Sequence, residues 1–203
     1  MDIEAFVLSQ LPPTPASVLE VGCGDGEIAR AIAVRGHEVI ALDPRAPAGD
    51  LFRRASLEQF TDPGPFDVVV ANRSLHHIHD LSRALDKVAG LLAPGGQLVV
   101  HEHAWERLDE PTARWYLKHR SAAGHRAPRS LEACLARWRE DHAELHGYTA
   151  LREALDRRFM QRFFAWVPYL YGELGDAVEQ EERALIDTGV IQATGFYYVG
   201  ELA

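Results

Sequence analysis

Cysteine is scarce in this chain of 203 residues: Cys23 and Cys134 lie far apart and offer neither a disulfide framework nor zinc-ligand spacing. No apolar run approaches the roughly 20 residues that a membrane-spanning helix needs. Basic residues are lacking from the first ten positions too. Asp2 and Glu4 stand in the first ten residues where a secretory signal would place lysine or arginine, so the expected site of action is the cytoplasm. Positive charge is in deficit, with 21 Lys and Arg against 30 Asp and Glu and a net charge of −9. That balance argues against a general nucleic-acid binder, which needs a basic face to neutralise phosphates. Repeats, low-complexity tracts and linkers are also lacking. The length and the 47% hydrophobic content fit one globular domain over residues 1–203.

The stretch from Val18 to Arg30 reads as a buried strand, a glycine turn and the opening of a helix over Glu27–Val34. Gly22, Gly24 and Gly26 permit backbone angles that a Cβ forbids, and let a ligand lie against bare main chain beside a helix N-terminus. The dinucleotide fingerprint wants its third glycine at position 27, where Glu27 stands instead. Glu20 sits near the carboxyl end of an otherwise apolar strand. A carboxylate there is costly unless it meets a cation or donors, which suggests a ligand bearing an amino group.

An acidic residue followed by Gly-x-Gly-x-Gly resembles the first motif of the class I S-adenosylmethionine-dependent methyltransferases, of the small-molecule type. Two further stretches extend the resemblance. Phe66-Asp67-Val68-Val69 leads into Leu75-His76-His77 after a strand over Phe66–Asn72, and Leu92-Ala93-Pro94-Gly95-Gly96 precedes a strand over Gln97–His101. The resemblance implies an α/β fold: a Rossmann-like doubly wound seven-stranded sheet with the last strand antiparallel. It also implies S-adenosylmethionine as cofactor, with Glu20, Gly22, Gly24, Asp43, Ser56, Leu57 and Asn72 as the residues that bind it.

Each of these positions has its own reading. Asp43 ends a second strand, Glu38–Leu42, and lies 19 residues beyond Gly24, about where doubly wound folds place an acid against ribose hydroxyls. A turn-initiating Asp-Pro is the structural alternative. Arg45 to Leu51 is too short for a full crossover helix, so the third strand, Phe52–Ala55, is expected to be a brief edge piece. Ser56 stands where the family often has an acid, beside a backbone amide at Leu57 that would read the adenine edge.

Only 17 residues precede Val18, so a lid is expected from elsewhere. Beyond Trp105 the pattern turns to amphipathic helices, over 111–122, 130–146 and 149–159. The first two are read as a helical insertion after the fifth strand, spanning 105–147, and as the cap over the acceptor. Residues 107–162 hold 12 of the 21 basic residues and 8 of the 30 acidic ones. That segment is either a set of solvated helix faces or a surface for an anionic small-molecule acceptor. Segments 162–171 and 194–202 are strand-like, with a helix over 177–188 between them.

Histidines gather at two strand ends: His76, His77 and His79 after the fourth strand, His101 and His103 at the fifth. A neutral imidazole there can remove a proton from an oxygen acceptor, with a rate limb near pH 6 to 7. His101 and His76 are the catalytic candidates. Within the wider superfamily, cyclopropane fatty acid synthases place active-site polar residues in similar positions. Strand alternation sends Glu102 away from His101 and His103, which disfavours a three-ligand cluster, so no metal is expected. The reading is methyl transfer to a small molecule, without nucleic-acid or membrane partners and with the oligomeric state open. The alternatives are a cofactor-binding protein without turnover, and an S-adenosylmethionine-dependent enzyme with another outcome.

Overall fold

A computed structural model describes residues 2–62, 64–122 and 128–202, with only the backbone at 121 and 122. The chain divides into two compact units. One comprises Met1–Glu102, Thr149–Phe164 and Tyr197–Ala203, and the other His103–Tyr148 and Ala165–Phe196.

Helix α1, Ile3–Gln10, starts where the Asp2 carboxylate accepts from the Ala5 amide at 2.8 Å. It gives way before Pro12 and Pro13 to strand β1, Ser17–Val21. Then come α2, Glu27–Val34, and β2, Glu38–Leu42, both with the bounds that periodicity predicts. β3 is only Phe52–Arg53, shorter than expected, and joins β2 without a crossover helix. β4 covers Phe66–Asn72.

Asp80 caps α3, Leu81–Leu91, which buries Leu81, Ala84, Leu85, Val88 and Leu91 at helical spacing. β5 runs over Leu92–His103, longer at both ends than the expected 97–101. Phe66 pairs with Leu92 and Val68 with Gln97, so the Pro94-Gly95-Gly96 turn is an irregularity inside the strand.

The sheet has seven strands in the order β3-β2-β1-β4-β5-β7-β6, where β6 is Phe159–Val167 and β7 is Gly195–Leu202. β1 pairs in parallel with both β2 and β4, and β5 in parallel with β4. The β5-β7-β6 edge is antiparallel, as the family resemblance implies. Chain order reverses between β1 and β4, which makes their carboxyl ends the crevice where doubly wound sheets take ligands.

β6 departs from the expected 162–171. Pro168 has no amide to give a ladder and stops the strand, while α6, Tyr148–Asp156, ends three residues short of the expected 159. In the second unit α4, Glu110–Ala122, and α5, Leu131–His142, pack Trp115, Tyr116, Cys134 and Trp138 with Leu170 and Ile191. Residues 123–127, inside the expected cap, lie outside the described residues.

α1 depends on two buried side chains, Phe6 and Val7. Phe6 stacks on Tyr197 at 4.1 Å between centroids and 6° between planes, with Phe163 tilted against it at 5.5 Å. Phe6→Ala is expected to cost about 3 to 5 kcal/mol, the range for buried Phe truncations. Urea unfolding reads this, and a loss below about 1 kcal/mol would contradict the anchoring role.

Candidate functional site

The glycine turn is held from below by its neighbours. Gly22 and Cys23 donate their amides to the Leu42 carbonyl at 2.8 and 2.9 Å, and Gly24 donates to Asp43 Oδ2 at 3.2 Å. Asp43 Oδ1 accepts from the Arg45 amide at 2.7 Å. Asp43 therefore shapes the loop at the ends of β1 and β2, the structural half of its two sequence readings.

The three glycines have different causes. Gly22, at φ +77°, lies where an added Cβ would come 2.3 Å from the Ser74 Cβ. Gly26, at φ +78°, caps α2 and makes room for the Phe52 ring, which Arg30 covers at 5.1 Å. Gly24, at φ +52°, faces no atom within 4 Å. Its Cβ direction is open space, as close approach of a ligand to main chain requires.

Glu20 is 1% exposed, opposite Ala41 of β2 and Val70 of β4. Its Oε2 is buried and has no hydrogen-bond partner among the described residues. Burial pushes its pKa up to about 8, opposed by the Ala29 amide and reinforced by the Asp43 charge. The Cys23 thiol is pushed up to about 12, again mainly by burial, so it sits in the turn as an inert thiol.

Ser56 and Gln59 form a reciprocal turn: the Ser56 amide donates to Gln59 Oε1 at 3.1 Å and the Gln59 amide to Ser56 Oγ at 3.4 Å. Leu57 is buried within it. Lys87 Nζ on α3 ties the turn down through the carbonyls of Glu58, at 3.0 Å, and Phe60, at 2.5 Å.

Asn72 and His101 are register partners on β4 and β5, and Asn72 Oδ1 lies 2.9 Å from His101 Nδ1. His101 is 5% exposed, with its ring edge-on to Tyr197 at 5.0 Å. Desolvation lowers its pKa to about 4, so its imidazole is neutral across the physiological range. His76 is also 5% exposed, and its Nδ1 meets Glu102 Oε2 at 2.5 Å.

The remaining histidines do different things. His77 and His79 are exposed, and burial beside His76 still lowers the His77 pKa. His103 is buried in the second unit, stacked on Tyr169 at 4.1 Å and 6°. No group of three or more His, Cys, Asp or Glu among the described residues is placed to hold a metal ion.

Sequence reasoning missed Glu102 and Ser74. Glu102 Oε1 accepts from the amides of Ser74, at 2.8 Å, and Leu75, at 2.6 Å, while Ser74 Oγ donates to the Val21 carbonyl at 2.8 Å. The signal was available for Glu102: like Glu20, it is an acid at the carboxyl end of an apolar strand.

The chain belongs to the family described as Methyltransferase domain, which it matches over residues 3–157. An uncharacterised methyltransferase of Mycobacterium tuberculosis strain H37Rv is 37% identical over 112 residues, covering 48% of this chain and 55% of the relative. A ubiquinone biosynthesis O-methyltransferase of Xylella fastidiosa is 31% identical over 110 residues, covering 47% and 45%. The chain thus spans about half the length of the curated relatives it matches. Two solved structures share the fold. One is an S-adenosylmethionine-dependent methyltransferase of Mesorhizobium loti, with TM-score 0.61, 17% identity, and coverage of 97% of this chain and 95% of that one. The other is a 1,6-didemethyltoxoflavin-N1-methyltransferase of Burkholderia thailandensis, with TM-score 0.62, 16% identity, and coverage of 98% and 76%.

The two glycines at the mouth of the crevice separate by their stability response. Gly22→Ala meets both a positive φ and the pinned Ser74, and is expected to lose about 3 kcal/mol or more. Gly24→Ala meets only the left-handed backbone, costing about 1 to 2 kcal/mol. Denaturant unfolding compares them, and equal losses would contradict the distinction.

Proposed function

We propose that this protein binds S-adenosylmethionine at the carboxyl ends of β1, β2 and β4 and transfers its methyl to a small-molecule acceptor in the cytoplasm. Glu20 takes the donor's amino group, Gly22 and Gly24 admit the chain of the ligand, and Asp43 faces the ribose. Ser56 and Leu57 border the adenine, and Asn72 closes the far side. The observation that carries this reading is the buried, unpartnered Oε2 of Glu20 in the switch-point crevice. A buried carboxylate oxygen lacking a donor is costly, and an ammonium removes that cost.

The relatives named for ubiquinone biosynthesis and for 1,6-didemethyltoxoflavin support a small organic acceptor. The basic segment 107–162 fits an anionic one, and the net charge of −9 gives no reason to invoke nucleic acid. Among the described residues no helix is long and apolar enough to cross a membrane.

The sulfonium carries the activation when the cofactor is bound, and the protein's share is alignment and proton removal. Of the two histidines, His101 is the poorer base at neutral pH, since burial holds it near 4 while an efficient base titrates near the working pH. His76 is therefore assigned as general base, and His101 as the neutral partner that orients Asn72.

The Glu20 assignment predicts proton-linked binding. In the free protein the Glu20 carboxyl holds its proton up to about pH 8, whereas beside an ammonium it is ionised. Binding at pH 6 to 7 should release close to one proton, and affinity should rise with pH towards about 8. Calorimetry with S-adenosylhomocysteine in buffers of different ionisation enthalpy measures the release. Glu20→Gln should abolish it and weaken binding about ten- to a hundredfold. Proton uptake, or unchanged release in the variant, would contradict the assignment.

The base assignment predicts that His76→Asn lowers turnover about a hundredfold to ten-thousandfold. His101→Asn should cost far less, because a group titrating near 4 is a weak base at neutral pH. The reverse pattern would exchange their roles. Cofactor binding without methyl transfer to any acceptor would favour the reading of a binding protein.

A further inference from the structure

We propose that Glu102 is the positioning residue that fixes His76 as its Nδ1–H tautomer, leaving the basic lone pair on Nε2. This rests on the assignment of His76 as general base. Glu102 is 0% exposed, at the penultimate position of β5, and its carboxylate gathers three groups from one turn of chain. Oε1 accepts from the Ser74 and Leu75 amides at 2.8 and 2.6 Å, and Oε2 lies 2.5 Å from His76 Nδ1.

Both backbone amides donate to Oε1, and hydrogen bonds of that kind favour the charged, accepting form of a carboxyl. An ionised carboxylate cannot donate to the imidazole. The proton between Oε2 and Nδ1 therefore belongs to Nδ1, and the nitrogen able to take a proton from an acceptor is Nε2. The same carboxylate fixes the ring's place, because Ser74, Leu75 and His76 all hang on it. The His77 ring is tilted against the His76 ring at 4.1 Å between centroids, and His101, the residue before Glu102, has its own partner in Asn72.

Glu102→Gln separates the tautomer from the scaffold. The carboxamide oxygen can still accept from the two amides, while its nitrogen donates to Nδ1 and drives the ring proton to Nε2. Imidazole resonances of ¹⁵N-histidine-labelled protein read the tautomer directly. The wild type should show His76 protonated at Nδ1 alone at neutral pH, and the variant should show it protonated at Nε2.

Turnover in the variant should fall about a hundredfold to ten-thousandfold, as expected when a base carries its proton on the wrong nitrogen. Affinity for S-adenosylhomocysteine should stay at the wild-type value. A wild-type His76 protonated at Nε2, or at both nitrogens, would overturn the proposal, and this needs no folded variant. Wild-type turnover in Glu102→Gln together with loss in His76→Asn would overturn it while sparing the base assignment. Full turnover in His76→Asn would remove the base assignment itself, whatever the tautomer.

Discussion

Burying a carboxylate demands donors, and three buried glutamates of this chain meet that demand differently. Glu102 is satisfied by two amides and an imidazole. Glu182, on the helix α7, Glu179–Asp187, accepts from the amides of Tyr169, Tyr171 and Leu170 at 2.8, 2.8 and 3.0 Å. Glu20 has the opposing influence of the Ala29 amide and an Oε2 with no partner among the described residues. Two of the three organise backbone around themselves. The third leaves a debt that a cation in the crevice can cancel.

The first unit's site follows from these anchors. Glu102 fixes Ser74, Ser74 closes on the Val21 carbonyl, and Gly22 must lack a side chain because Ser74 occupies that space. On the other side Phe52 imposes Gly26. Of the three turn glycines only Gly24 faces open space, so its glycine answers to its left-handed backbone rather than to packing. Asp43 serves the loop through Gly24 and Arg45, and each of its oxygens still has a lone pair to offer.

Much of this was legible in the sequence, and the failures have physical causes. α2, β2 and β4 fall at their expected bounds because apolar runs, glycines and prolines agree there about where each element stops. β6 was misplaced because an aromatic run was followed through Pro168, whose missing amide ends the ladder and starts the turn that Glu182 holds. The irregularity at Pro94-Gly95-Gly96 is invisible to a periodicity argument, since the strand resumes on the other side of it. Glu20 could be singled out as an acid in an apolar strand. The partners of Glu102 could not, because Ser74, Leu75 and His76 lie 26 to 28 residues earlier and only parallel pairing of β4 with β5 brings them close.

Direct titration of the Glu20 carboxyl tests the central claim, that this buried acid awaits the amino group of the methyl donor. Carbon-13 resonances of side-chain-labelled glutamate follow it in the free protein and in the complex with S-adenosylhomocysteine. The free protein should show a carboxyl titrating near 8 that is absent from Glu20→Gln. In the complex the same carboxyl should already be ionised at pH 6. A Glu20 carboxyl titrating near the ordinary value of 4.5 in the free protein, and unmoved by the ligand, would contradict the account.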